Sequence, residues 1–241
     1  MIGLHLHNFL GIGDAVQFTH IPENIYNFTK QKCINTNNHW SLKYNPYIDN
    51  NNSKPDFVID LWEFSKTFKY GFKSHADRFF YHFNERFKTN FSQPILRHPR
   101  LYIFENNKII RNRVLVHTTG KSEVVPMTDN AIKRIEENYK DCEIIQIGGV
   151  DDKKTPFIQK LGLSLYDTLE LISSSSIFIG INSGMMNLAN CYPTIRKKIL
   201  IPRDLDNFSP LTLDNVWFDF NTEYYNYSDI DHGVTMSYLK I

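Results

Sequence analysis

Residues 164–193 read SLYDTLELISSSSIFIGINSGMMNLANCYP, and the fold is best read outward from them. The stretch predicts a helix running into a short apolar strand, a break at Ile181-Asn182-Ser183-Gly184, and a second helix that begins with small side chains. At the carboxyl end of a parallel strand such a break exposes backbone N–H groups, and a helix start beside it favours an anion such as a phosphate. A plain strand-to-helix connection would read the same way in isolation, so the rest of the chain has to decide.

Upstream, RVLVH (113–117) predicts a strand, TTGKS (118–122) its loop, and residues 128–139 a helix capped by Thr128 or Asp129. Residues 143–147 form the next apolar strand, ending in Gly148-Gly149 with Asp151 and Asp152 after it. Residues 157–161 are read as a short helix, and 197–201 as one more strand. Strands separated by helices predict a parallel sheet with ligand groups at its carboxyl edge. The N-terminal half opens with the same device: an apolar strand over 1–10, a Gly11-Ile12-Gly13-Asp14 turn, then a helix. Asp14 is either a residue facing a ligand or a helix N-cap. DFVIDL (56–61) reads as a buried strand, and Phe79, Phe80, Phe83 and Phe87 share one helix face as core.

The 241 residues suffice for one large domain or two small ones, and 41% hydrophobic with 22% charged residues is an ordinary globular composition. A net charge of +1 gives no field for nucleic acid. Cys33, Cys142 and Cys191 are widely spaced, without a CxxC pair or ligating histidines beside them, which fits a reducing compartment. The opening MIGLHLHNFLGIGDAV has no signal-peptide pattern, and no run approaches the roughly 20 apolar residues of a membrane span. A cytoplasmic protein is expected, with peripheral contact to the inner membrane left open. In the tail, His232 beside Asp229 and Asp231 reads as a solvated acidic loop rather than a metal site.

Two hydroxyls, a glycine and a lysine directly after a strand suit phosphate oxygens: Thr118, Thr119, Gly120, Lys121 and Ser122 supply donors and a point charge. A P-loop is excluded because GxxxxGK is absent, and the dinucleotide fingerprint is incomplete after Gly13.

Taken in order, GIGDA (11–15), HTTGK (117–121), IGG-D (147–151) and the stretch from 164 onward resemble glycosyltransferase family nine, the ADP-heptose:lipopolysaccharide heptosyltransferases. The resemblance is clearest over residues 114–202 and the first twenty or so. It implies an α/β, GT-B-like fold of two Rossmann-like parallel-sheet domains facing a cleft, the N-terminal one reduced. The expected division is 1–108 as the acceptor side, 109–215 as the nucleotide-sugar side, and 216–241 as a tail packing back on the first domain. The implied activity is inverting, metal-independent sugar transfer from a nucleotide-diphosphate donor, ADP-linked in the family, to a glycan or glycolipid of the lipopolysaccharide, capsule or glycoprotein kind. No cofactor, metal or nucleic acid is implied.

By that resemblance Asp14 is the catalytic base. Gly11, Gly13, Thr118, Thr119, Lys121, Ser122, Asn182, Ser183 and Gly184 hold donor and phosphate, and Gly148, Gly149 and Asp151 lie on the nucleotide side. Asn182 stands where the family usually has aspartate and Asn187 where it has histidine, which leaves the donor sugar open. A catalytically lapsed nucleotide-sugar-binding or assembly protein is the alternative.

Overall fold

The computed structural model describes residues 1–50, 54–66, 75–92, 94, 96, 99–120, 126–181, 183–195, 197–201 and 222–224. They divide into two compact units, Met1–Ile103 and the described residues from Phe104 onward.

The first unit contains β1 (Ile2–His5), α1 (Ile12–Val16), α2 (Ile21–Thr29), β2 (Ile34–Asn35), β3 (Phe57–Asp60), α3 (Leu61–Ser65) and α4 (His75–Phe87). Its three strands lie in the order β2-β1-β3, all parallel, with His5 of β1 in register with Asp60 of β3. The strand predicted over 1–10 is therefore only four residues long. Beyond it the chain turns, with Leu10 N–H donating to His7 C=O, and Gly13 lies inside α1 rather than in a turn.

Leu4 and Leu6 from the first strand segment meet Phe18 and Ile21, and the α4 stripe of Phe79, Phe80 and Phe83 completes this core as its helical spacing predicts. Burying each such ring stabilises the fold by about 1.5–3 kcal/mol. The expectation of a buried β3 is corrected. Phe57 and Val58 are exposed because β3 is an edge strand, and only Ile59 reaches the core.

The second unit contains β4 (Ile110–His117), α5 (Asp129–Asn138), β5 (Glu143–Gly148), β6 (Ile158–Leu161), α6 (Leu165–Ser174), β7 (Ser175–Ile181), α7 (Gly184–Asn190), β8 (Lys197–Ile201) and β9 (Thr222–Tyr224). All six strands are parallel, in the order β6-β5-β4-β7-β8-β9. Thr128 caps α5 and Ser164 caps α6, each accepting a backbone N–H through its hydroxyl. Apart from β9, the tail predicted over 216–241 lies outside the described residues, including Asp229, Asp231 and His232.

One element is corrected here. Residues 158–161 are a strand, not a helix: they pair along β5, and Gly162, at φ +69°, ends the element with its N–H on Gly148 C=O. A run this short carries no helical period to weigh against strand alternation.

Both sheets are wound outward from a first strand. From β4 the chain goes to β5 and β6 on one side and later to β7 and β8 on the other; from β1 it goes to β2 on one side and later to β3 on the other. Each order reverses beside that first strand, which opens a crevice at the carboxyl ends of β4 and β7, and another at those of β1 and β3.

Candidate active site

His117, the last residue of β4, is buried, and its Nδ1 lies 3.1 Å from Ser183 Oγ, just past the end of β7. One hydrogen bond thus crosses the reversal point of the second sheet. Gly180 makes room for it: a Cβ there would lie 3.3 Å from His117 C=O and 2.9 Å from the Phe178 ring. Burial pushes the His117 imidazole down to about 4, so it is neutral at pH 7. Ser183 is also the N-cap of α7, its hydroxyl accepting from Met186 N–H, and Gly184 opens that helix.

The loop after β4 divides by side chain. Thr118 is buried, and its hydroxyl accepts from Gln146 Nε2 at 3.1 Å, while its C=O accepts from Met127 N–H. Gln146 is itself fixed by Lys153 C=O and by the N–H and hydroxyl of Thr155. Thr119 and Gly120 are half-buried, with Thr119 Oγ1 3.4 Å from Thr118 Oγ1. Lys121, Ser122 and Asn182 lie outside the described residues.

At the end of β5, Gly148 adopts φ +153°, where a Cβ would lie 2.0 Å from Asp152 Oδ2. That same oxygen accepts from Gly149 N–H at 3.0 Å. Asp152, which the sequence reading passed over in favour of Asp151, is the carboxylate that shapes this turn; Asp151 is exposed beside it. A glycine pair followed by an acid three residues on is the signal that could have found it.

In the first unit, Gly11 is the N-cap of α1 and Asp14 sits in its first turn without a side-chain cap bond, which removes the N-cap reading of Asp14. Gly11 leaves room for it, since a Cβ there would lie 3.1 Å from Asp14 Oδ2. Solvent reaches Asp14, yet desolvation by the protein around it raises its carboxyl from the ordinary aspartate value. At the reversal point of the same sheet, His7 Nε2 lies 2.8 Å from Asp60 Oδ2, with His5 beside them. None of these three was singled out from the sequence. The His-x-His spacing at a strand end was the available signal, and Asp60 is 53 residues from His7.

The fold is similar to that of solved glycosyltransferases. A family-nine glycosyl transferase from Veillonella parvula is 14% identical and covers 93% of this chain and 86% of its own length, with a TM-score of 0.59. The fold is that of the family-nine glycosyltransferases. The GT-B-like heptosyltransferase WaaC of E. coli, solved with ADP, is 9% identical and covers 94% of this chain and 91% of its own, with a TM-score of 0.57. TibC from enterotoxigenic E. coli, an iron-containing dodecameric glycosyltransferase, is 14% identical with a TM-score of 0.52. The match covers 83% of this chain, which spans only 58% of TibC. No protein-family model and no curated protein matches the sequence.

Proposed function

We propose that this protein is a glycosyltransferase that moves a sugar from a nucleoside-diphosphate donor to a hydroxyl of a surface glycan or glycolipid, with inversion and without a metal on the diphosphate. The observation that carries this reading is the chemistry at two strand ends. A carboxylate follows the central strand of one sheet, and a hydroxyl-glycine loop follows a central strand of the other, in a fold that matches heptosyltransferases over most of the chain.

In this mechanism Asp14 accepts the proton of the acceptor hydroxyl as its oxygen bonds to the anomeric carbon. The bond from that carbon to the diphosphate breaks on the opposite face, and its electron pair goes to the phosphate oxygen. Thr119, Gly120, Lys121 and Ser122 meet the departing charge with hydroxyls, backbone N–H groups and an ammonium. Asn182, Ser183 and Gly184 face the donor sugar, with Ser183 oriented by His117. Gly148, Gly149 and Asp151 lie toward the nucleotide. We place residues 1–108 on the acceptor side and 109–215 on the donor side. Among the described residues no helix is long and apolar enough to cross a membrane, and we propose action in the cytoplasm with peripheral contact to the inner membrane.

The test is a thermal-shift screen of ADP, GDP, UDP and CDP, followed by mass-spectrometric detection of transfer from the matching nucleotide sugars. Stabilisation by one nucleotide, with turnover abolished in Asp14→Asn but binding kept, is the expected result. Binding without turnover in the wild type would mark a lapsed enzyme that only binds nucleotide sugars, and a flat screen would sink both readings.

A further inference from the structure

We infer that His5, His7 and Asp60 form a binding site for one divalent transition-metal ion of the Zn²⁺ or Fe²⁺ class, at the carboxyl edge of the first sheet. One ligand atom from each of the three lies within 4.8 Å of the other two. An ion with bonds of about 2.1 Å needs its donors about 3.0–3.4 Å apart, so small side-chain rotations close the set. His7 Nε2 and Asp60 Oδ2 are already 2.8 Å apart.

The donors come prepared. Asp60 caps α3 through Oδ1, which accepts from Glu63 N–H at 3.0 Å, and this leaves Oδ2 directed at His7. Thr36 Oγ1 donates its one proton to Leu4 C=O, so at His5 Nδ1, 3.3 Å away, it can only accept. The His5 tautomer is thereby set with the proton on Nδ1 and a lone pair on Nε2. An outer partner that holds one imidazole nitrogen and frees the other is the usual support of a metal-bound histidine. His7 lies under the stacked ring of Phe9, which steadies its plane.

The place argues for a ligand independently of the donors. His5 ends β1, Asp60 ends β3, and the strand order reverses between them, which is where open parallel sheets bind ligands. The side chains of His7 and Asp60 are 29% and 34% exposed, so an ion reaches them from solution. Without an ion one carboxylate faces two imidazoles; an ion engages all three at once, taking the lone pair of neutral His7 on Nε2 while the ring's one proton sits on Nδ1. Two imidazoles and one carboxylate with open positions suit Zn²⁺ and Fe²⁺, and Co²⁺ reports on the same geometry. The inference rests on these three side chains and does not depend on the transferase reading.

The experiment titrates untagged, metal-stripped full-length protein with Co²⁺, following visible ligand-field absorption, and with Zn²⁺ by calorimetry. One equivalent is expected to bind. His7→Gln and Asp60→Asn should each weaken it by at least about tenfold, as should the supporting change Thr36→Val. Asp60→Asn keeps an oxygen for the α3 cap, so its melting curve should stay close to wild type while its metal affinity falls. If His7→Gln does not fold, His5→Gln takes its place. Absence of binding at millimolar Co²⁺, or stoichiometric binding indifferent to these substitutions, overturns the site.

Discussion

His117 joins two strand ends, and its burial sets a pH dependence. Its folded value is lowered to about 4 from an ordinary 6.5, so the unfolded chain binds the extra proton first as the pH falls. The stability this histidine contributes is intact above about pH 6.5, and on the order of 3 kcal/mol is lost as the pH drops to about 4. His39, buried and lowered to about 4 chiefly by desolvation, adds loss of the same sign. Urea midpoints at pH 7 and pH 5 should therefore differ less for His117→Asn than for the wild type, and equal differences would exclude His117 as a source. Asp14 titrates in the opposite direction from its reference. Because the proposed base works ionised, kcat/KM should rise with pH through a value raised from that of an ordinary aspartate. Asp14→Asn should lose about 10²–10⁴-fold in turnover.

At the scale of elements, the passage from α6 to β7 takes place without a loop, and four consecutive serines make this possible. Ser173 and Ser174 donate to Glu170 C=O, Ser175 to Leu171 C=O, and Ser176 shares its one proton between the carbonyls of Arg111 and Arg113 on β4. Carbonyls left over by the helix end are thus satisfied within the joint. Ser176→Ala should cost about 1–2 kcal/mol of stability by denaturant melt, since it removes the one hydroxyl donor that the two carbonyls share. Gly148→Ala should cost about 1–3 kcal/mol, because the new Cβ both meets a left-handed backbone and displaces Asp152 from Gly149. The apolar runs of β4, β5 and β7 were legible in sequence because strands buried on both faces read as continuous hydrophobic stretches. The β6 strand was not, its alternation being too short to outweigh a helix reading, and β3 looked buried because composition does not reveal which strand lies at an edge.

For the whole molecule, nucleotide binding is the property that should change most. At a hundredfold excess over Kd, a bound nucleotide adds about 2.7 kcal/mol, which for a chain of this size raises Tm by about 5–10 °C. The order of GIGDA, HTTGK and INSG was enough to anticipate the fold seen in the heptosyltransferase structures, since a doubly wound sheet puts successive strand ends on one edge whatever the loops contain. What the sequence could not show is partnership across distance. His117 finds Ser183 across 66 positions, and His7 finds Asp60 across 53, because the sheet order sets those neighbours and local spacing does not.

That sheet order also has a cost in time. The two most central strands of the second unit, β4 and β7, pair directly, yet α5, β5, β6 and α6 are all synthesised between them. Until β7 emerges, β4 carries an apolar edge with its backbone donors and acceptors unpaired, an invitation to pair with other chains. Closing so long a loop before its contacts form makes folding slow. Overproduction at low temperature, which slows synthesis and encounter alike, should therefore favour the soluble protein over aggregates.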